Sequence, residues 1–168
     1  TSVYADDHKR IAGNRHTDSK EPNKAEAESG SFEIAGPRRF IYFDPRDARA
    51  AIVTCGGLSP GINDVIRAVT MELYYRYGVS SITGIRYGFQ GLIPEYGHVP
   101  MELTPDVVKD FHHSGGSMLA SSRGNQDIGR MVDRLEELKV NLFFCIGGDG
   151  TMRAAELIAA EATGRNIP

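Results

Sequence analysis

Two short segments of this chain place glycines beside an acid or a hydroxyl in a pattern suited to holding phosphate. The first is Gly56-Gly57-Leu58-Ser59-Pro60-Gly61-Ile62-Asn63 and the second is Gly147-Gly148-Asp149-Gly150-Thr151; each follows an apolar run. Glycine removes the Cβ that keeps a ligand off the backbone, and a helix starting behind such a loop adds unpaired amides and the positive end of its dipole. Asp149 supplies an acid for a hard cation such as Mg²⁺, which takes one or two carboxylates together with substrate phosphates. Thr151 is placed to cap the following helix and to donate to phosphate. A tight turn needing positive φ would explain the first loop alone, and a turn aspartate near a helix start would explain Asp149 alone. Their joint presence favours phosphate. Between them, the Ser/Gly-rich stretch Gly115 to Gly124 presents Arg123, either a solvated surface cation or a planar fork for phosphate.

Elements that could position these loops are legible in the hydrophobic pattern. Ala50 to Cys55 is a short apolar run ending in glycines, the mark of a buried parallel strand. Behind Pro60 and Gly61, the residues Ile62, Val65, Ile66, Val69, Leu73 and Tyr77 share one helical face, and Gly78 stands at the expected stop. A second strand is expected over Ser81 to Tyr87, leading into Gly88-Phe89-Gln90-Gly91. Thr104-Pro105-Asp106 reads as cap, first-turn proline and acid of a further helix, with Val107, Val108 and Phe111 behind it. An amphipathic helix through Ile128, Met131, Val132, Leu135 and Leu138 precedes a strand from Val140 to Ile146. A last helix over Thr151 to Ala162 would face inward through Met152, Ala155, Ile158, Ala159 and Ala162. Alternating strands and helices define an α/β fold: a Rossmann-like parallel sheet with helices on both faces, whose ligands gather at the carboxyl ends of the strands.

Composition excludes several classes. The 168 residues carry 19 Lys+Arg against 22 Asp+Glu, a formal net charge of -3, which lacks the basic excess that neutralising many phosphates of a nucleic acid requires. No apolar run approaches the roughly 20 residues of a membrane-spanning helix. Cys55 and Cys145 each sit in a strand-like run and read as buried thiols of a reducing compartment. The N-terminus lacks the pattern of a secretory leader. Residues 1–38 alternate charges with small residues and hold few large apolar side chains, so they are expected to form a flexible extension; Phe40 to Phe43 would anchor on the body of the domain or on a partner. His98 and the His112-His113 pair are expected on the surface, with no second pair at metal-ligand spacing.

The three loops, in this order, resemble the phosphofructokinase family. The resemblance runs from about Tyr42 to the end and is greatest to the long-chain ATP-dependent branch of plants and kinetoplastid parasites; Ser59 departs from it, standing where that branch usually has Cys. It implies an incomplete phosphofructokinase fold, with residues 39–168 forming the nucleotide-binding half. It further implies that Gly57 meets the nucleotide through its backbone, that Arg123 and Gly124 lie along the ATP, that Gly148, Asp149, Gly150 and Thr151 wrap the phosphates, and that Asp149 holds Mg²⁺. Gly150 would leave room for ATP where pyrophosphate-dependent relatives carry Asp. Arg67 matches an effector-phosphate position of bacterial members and reads equally as a solvated helix charge.

The implied activity is transfer of the γ-phosphoryl of ATP to fructose 6-phosphate, in a homo-oligomeric, usually tetrameric and cytoplasmic enzyme, glycosomal in kinetoplastids. The family's catalytic Thr-Ile-Asp-Asn-Asp segment and most of its sugar-phosphate site would lie beyond Pro168, so no catalytic residue is expected in this chain, which reads as part of a longer enzyme. Kinases of NAD or diacylglycerol share Gly-Gly-Asp-Gly but not the other two loops. A pyrophosphate-dependent enzyme and a non-catalytic nucleotide-binding module are the remaining alternatives.

Overall fold

The computed structural model describes residues 4–6, 9–12 and 31–167. The chain falls into two compact units, Thr1–Tyr42 and Phe43–Pro168. In the first, β1 (Arg10–Ala12) pairs antiparallel with β2 (Ser31–Glu33), Ile11 opposite Phe32. The Arg38 guanidinium donates to the carbonyls of Ile34 at 2.7 Å and Asp6 at 3.2 Å. The segment expected to be a flexible extension therefore carries a pair of short strands; Val3 and residues 13–30 lie outside the described residues.

The second unit is built on a four-stranded sheet of order β5-β4-β3-β6. Its strands are β3 (Arg49–Thr54), β4 (Ser81–Ile85), β5 (Met101–Glu102) and β6 (Leu142–Ile146). β3 runs parallel to both β4 and β6, while β5 is antiparallel to β4. The sheet is thus mixed, not wholly parallel. Two residues leave β5 no hydrophobic period to detect, and the turn through Gly97 lets the chain return without a crossover helix. β6 stands at the other edge.

Ala50 to Thr54 are buried because β3 is covered on both faces. One face packs Ala50, Ile52 and Ile82 against Ile62, Ile66 and Leu73, with Val108, Phe111 and Leu119 completing the cluster. Ile62 and Ile66 come from α1 (Ile62–Met71), Leu73 from its π-helical continuation Glu72–Tyr77, Val108 from the short α2 (Pro105–Val108), Phe111 from the 3-10 turn Phe111–His113, and Leu119 from the loop beyond it. The other face packs Ala51, Val53, Cys55 and Ile85 against Met131, Val132, Leu135 and Ile158, from α3 (Ile128–Glu137) and α4 (Asp149–Gly164). Helices on both faces are as expected. Thr104 caps α2 by accepting from the Val107 amide, and the Asp127 carboxylate caps α3 by accepting from Arg130.

Several boundaries differ from the pattern. Val65 on α1 and Tyr77 on its continuation are exposed, and the polar Asn63 and Thr70 of α1 are buried. Hydrophobicity cannot signal a buried amide that finds its partners across a loop. The first helical turn of α4 begins at Asp149, not Thr151, so Thr151 does not cap it; Gly148 holds that position with no side-chain cap. Thr151 and Ile158 point inward, whereas Met152 and Ala159 are exposed. β4 ends at Ile85, two residues before Tyr87, which takes φ 62. The last strand starts at Leu142, although Val140 is buried. Of the expected anchor, Phe43 packs on the core and Phe40, Ile41 and Tyr42 are exposed. Among the described residues, no helix is long and apolar enough to cross a membrane.

Candidate phosphate site

β3 and β6 end together. Thr54 is opposite Ile146 in the register, and the Cys55 amide donates to the Ile146 carbonyl at 2.9 Å. The loop through Gly56, Gly57 and Gly61 and the loop through Gly147 and Gly148 therefore leave the sheet side by side, at the carboxyl end where open α/β sheets take their ligands. Each feeds a helix whose first turn has no side-chain cap, α1 behind Gly61 and α4 behind Gly148. The amides of those turns have no intrahelical acceptor.

The glycines separate by cause. Gly56 (φ 83), Gly61 (φ 87) and Gly124 (φ 98) adopt a backbone that other residues resist. Gly147 is fixed by crowding: a Cβ there would lie 2.2 Å from Thr151 Oγ1 and 2.7 Å from the Cys55 carbonyl oxygen. Gly57, Gly148 and Gly150 have neither reason, since their φ is not positive and a Cβ on each would meet nothing within 4 Å apart from its chain neighbours and its own helix backbone. Bare backbone facing open space on three exposed residues is what a phosphate cradle needs. Asp149, exposed in the first turn of α4, sets a carboxylate beside it, favoured there by the helix dipole. One carboxylate next to open helix-start amides has the chemistry that suits Mg²⁺, a cation that completes its shell from phosphates and water. Among the described residues, no group of three metal-ligating side chains offers an alternative. Thr151 differs from expectation, being buried with its side chain against Gly147.

The arginine-bearing loop is tied to the same strand end. Buried Thr54 donates from Oγ1 to the Ala120 carbonyl at 2.7 Å and shares a 2.8 Å hydrogen bond with Ser117 Oγ. Ser121 Oγ donates to the Gly56 carbonyl at 2.7 Å, and the Gly56 amide to the Ser122 carbonyl at 3.3 Å. The Tyr87 amide donates to Leu119, and Gly88 is held so near Ser122 that a Cβ would lie 2.7 Å from its Oγ. Exposed Arg123 and Gly124 follow at once. The structure thus gathers the three loops at one end of the sheet.

Thr54, Ser117 and Ser121, which do the tying, escape motif reading; a lone Thr closing an apolar strand is the only hint the sequence offers. Arg86 also escapes it: it follows β4, lies 5.4 Å over the Tyr87 ring, and keeps a buried Nε with no hydrogen-bond partner among the described residues. Arg67 Nε donates to the Lys109 carbonyl at 3.1 Å, linking α1 to the end of α2. His98 stacks on Tyr87 at 4.2 Å, and His112 and His113 lie ring to ring at 3.8 Å. Burial raises the thiol pKa of Cys55 to about 11 and that of Cys145 to about 12, which leaves both protonated and unreactive near neutrality.

Fold and loops together define an α/β domain with glycine-rich turns converging on the ends of neighbouring parallel strands. Comparison gives its family. A sequence model described as phosphofructokinase matches residues 49–168, and the chain belongs to that family. It is 46% identical over 143 residues to an ATP-dependent 6-phosphofructokinase of Entamoeba histolytica, covering 85% of this chain and 33% of that protein. It is 50% identical over 136 residues to one of Borreliella burgdorferi (81% and 30% covered), and 48% identical over 133 residues to one of Trypanosoma cruzi (79% and 27% covered). The chain spans about a third of the length of these relatives. Among solved structures, a pyrophosphate-dependent phosphofructokinase from Marinobacter aquaeolei matches with TM-score 0.62 at 18% identity, over 72% of this chain and 31% of that one. Pichia pastoris phosphofructokinase in the T-state matches with TM-score 0.59 at 23% identity, over 85% and 14%. These structural likenesses show the fold.

Proposed function

We propose that this chain is the nucleotide-binding portion of an ATP-dependent 6-phosphofructokinase, which transfers the γ-phosphoryl of ATP to the 1-hydroxyl of fructose 6-phosphate. The observation that carries the reading is the joint ending of β3 and β6, which sends Gly57 and Gly148 out from neighbouring strands. Amides of Gly57 and of the first turn of α4 hold phosphate oxygens, and Arg123 offsets their charge with a guanidinium that stays protonated. Gly124 and Gly150 leave space along the nucleotide. Asp149 holds Mg²⁺, which when bound offsets the charge developing on the transferring phosphoryl. Thr151, turned inward, supports the loop through its packing on Gly147 and contributes its amide.

The group that takes the proton from the sugar hydroxyl and most of the sugar-phosphate site belong to the part of the enzyme beyond Pro168, and the complete enzyme is a cytoplasmic homo-oligomer. A donor assay on the full-length enzyme tests the reading: labelled ATP supports formation of fructose 1,6-bisphosphate at a rate well above that with pyrophosphate. Preference for pyrophosphate overturns it.

A further inference from the structure

Asn63 is 2% exposed on the first turn of α1, among apolar neighbours. Its Nδ2 donates to the Ser114 carbonyl at 2.7 Å, and its Oδ1 accepts from the Met118 amide at 2.8 Å. One carboxamide thus grips both ends of the Ser114–Met118 turn, which contains Gly115 and Gly116 and has no regular structure of its own. Thr54 and Gly56 hold the same segment further along, at Ser117, Ala120, Ser121 and Ser122. The element that carries Gly57 and the loop that carries Arg123 are therefore bonded into one body from both sides.

The geometry points to Asn63 as a positioning residue for nucleotide binding: its amide fixes the register of the 114–124 loop on α1 and so sets Arg123 against Gly57. This rests on the nucleotide reading given above. It assigns Asn63 no contact with the nucleotide, and it predicts a defect confined to the phosphoryl donor.

Asn63→Asp is the sharpest probe. The variant keeps an oxygen to accept from Met118 but puts a second oxygen where Nδ2 faced a carbonyl at 2.7 Å, a spacing that is stable only with a proton between them. Burial and the facing carbonyl both favour the neutral acid, so the variant is repaired when protonated. Charged and titratable groups on the surrounding elements are Asp64 and Arg67 on α1, Asp106, Lys109 and Asp110 on and after α2, His112 and His113 in the turn before Ser114, and Arg123 in the gripped loop itself. The wild type carries all of them, so its own pH profile isolates the carboxyl at position 63.

The test uses the full-length enzyme, with KM for ATP and for fructose 6-phosphate, kcat, and equilibrium binding of a fluorescent ATP analogue from pH 5.5 to 8.5. Asn63→Asp is expected to weaken donor binding about tenfold at the alkaline end and to return to within about twofold of wild type at the acid end, with the KM for fructose 6-phosphate unchanged. Asn63→Ala, which no proton repairs, is expected to weaken donor binding at every pH. Donor binding in Asn63→Asp that does not depend on pH relative to wild type overturns the proposal, as does a loss of kcat and of both affinities together. If the wild type uses pyrophosphate, the ATP reading has failed and the same series is run with that donor, where the same pH-dependent loss still supports the positioning role and its absence still overturns it.

Discussion

The amide of Cys55 and the carbonyl of Ile146 meet at 2.9 Å, the last rung between the parallel neighbours β3 and β6. Beyond that rung both chains turn into glycines, so a ligand at the sheet end faces two uncapped helix starts at once. The backbone sets this arrangement, and few side chains contribute.

Gly147 and Gly148 are adjacent but answer to different causes. Gly147→Ala drives a methyl into Thr151 and the Cys55 carbonyl, and it should lower the stability of the full-length enzyme by about 1–3 kcal/mol. Gly148→Ala points into open space and should leave unfolding unchanged while weakening ATP binding. Chemical denaturation beside nucleotide titration checks both; equal stability losses would contradict the distinction.

Asp149 is exposed and is not part of the core. Asp149→Asn should retain the fold yet lower kcat at least about a hundredfold, because the cation loses its carboxylate. The expected signature is a raised Mg²⁺ requirement in the rate. An unaltered Mg²⁺ dependence would remove Asp149 from the metal site.

Apart from its own helix backbone and chain neighbours, Gly150 has nothing within 4 Å of the place a Cβ would occupy. Gly150→Asp should therefore fold normally while raising the KM for ATP about tenfold or more, since a second carboxylate fills the space and repels phosphate. Turnover with both ATP and pyrophosphate measures the shift. An unchanged KM for ATP would show that the nucleotide does not pass over this residue.

The thiols give a pH-dependent prediction. Burial holds Cys55 at about 11 and Cys145 at about 12, above the 9.0 of an unhindered thiol. Raised folded-state values mean that the folded form keeps its protons longer than the unfolded form. The stabilising effect is complete below about pH 9 and is lost as pH rises through about 11 and 12. At pH 8 both thiols should react with a disulfide reagent at least about tenfold more slowly than after unfolding in urea. Equal rates would show that the sheet end opens readily.

How much of this was legible depends on the kind of signal. The apolar runs at β3 and β6 and the heptad-like spacing of α3 announce themselves, because burial on one or both faces demands a period. The glycine loops announce themselves too, since nothing but backbone geometry or a ligand explains such clusters. Polar residues that act inside the fold leave a weaker trace: Asn63 closes the first glycine motif and Thr54 ends an apolar strand, and only their bonds to Ser114, Met118 and Ala120 show why they are there. The first turn of α4 starts at Asp149, two residues before the pattern places it, because glycine at 148 and 150 hides a helix start. β5 is too short to carry any period.

β6 closes the sheet on its open side. Leu142 to Ile146 are half-buried, and β3 pairs with the strand on one side only. Produced by itself, this 168-residue chain would present an adhesive ribbon, the outward-facing peptide groups of β6 on an apolar backing, ready to template onto another molecule. Precipitation during recombinant production is the practical expectation. A coexpressed chaperone, or a longer clone, becomes the sensible starting material for crystallisation.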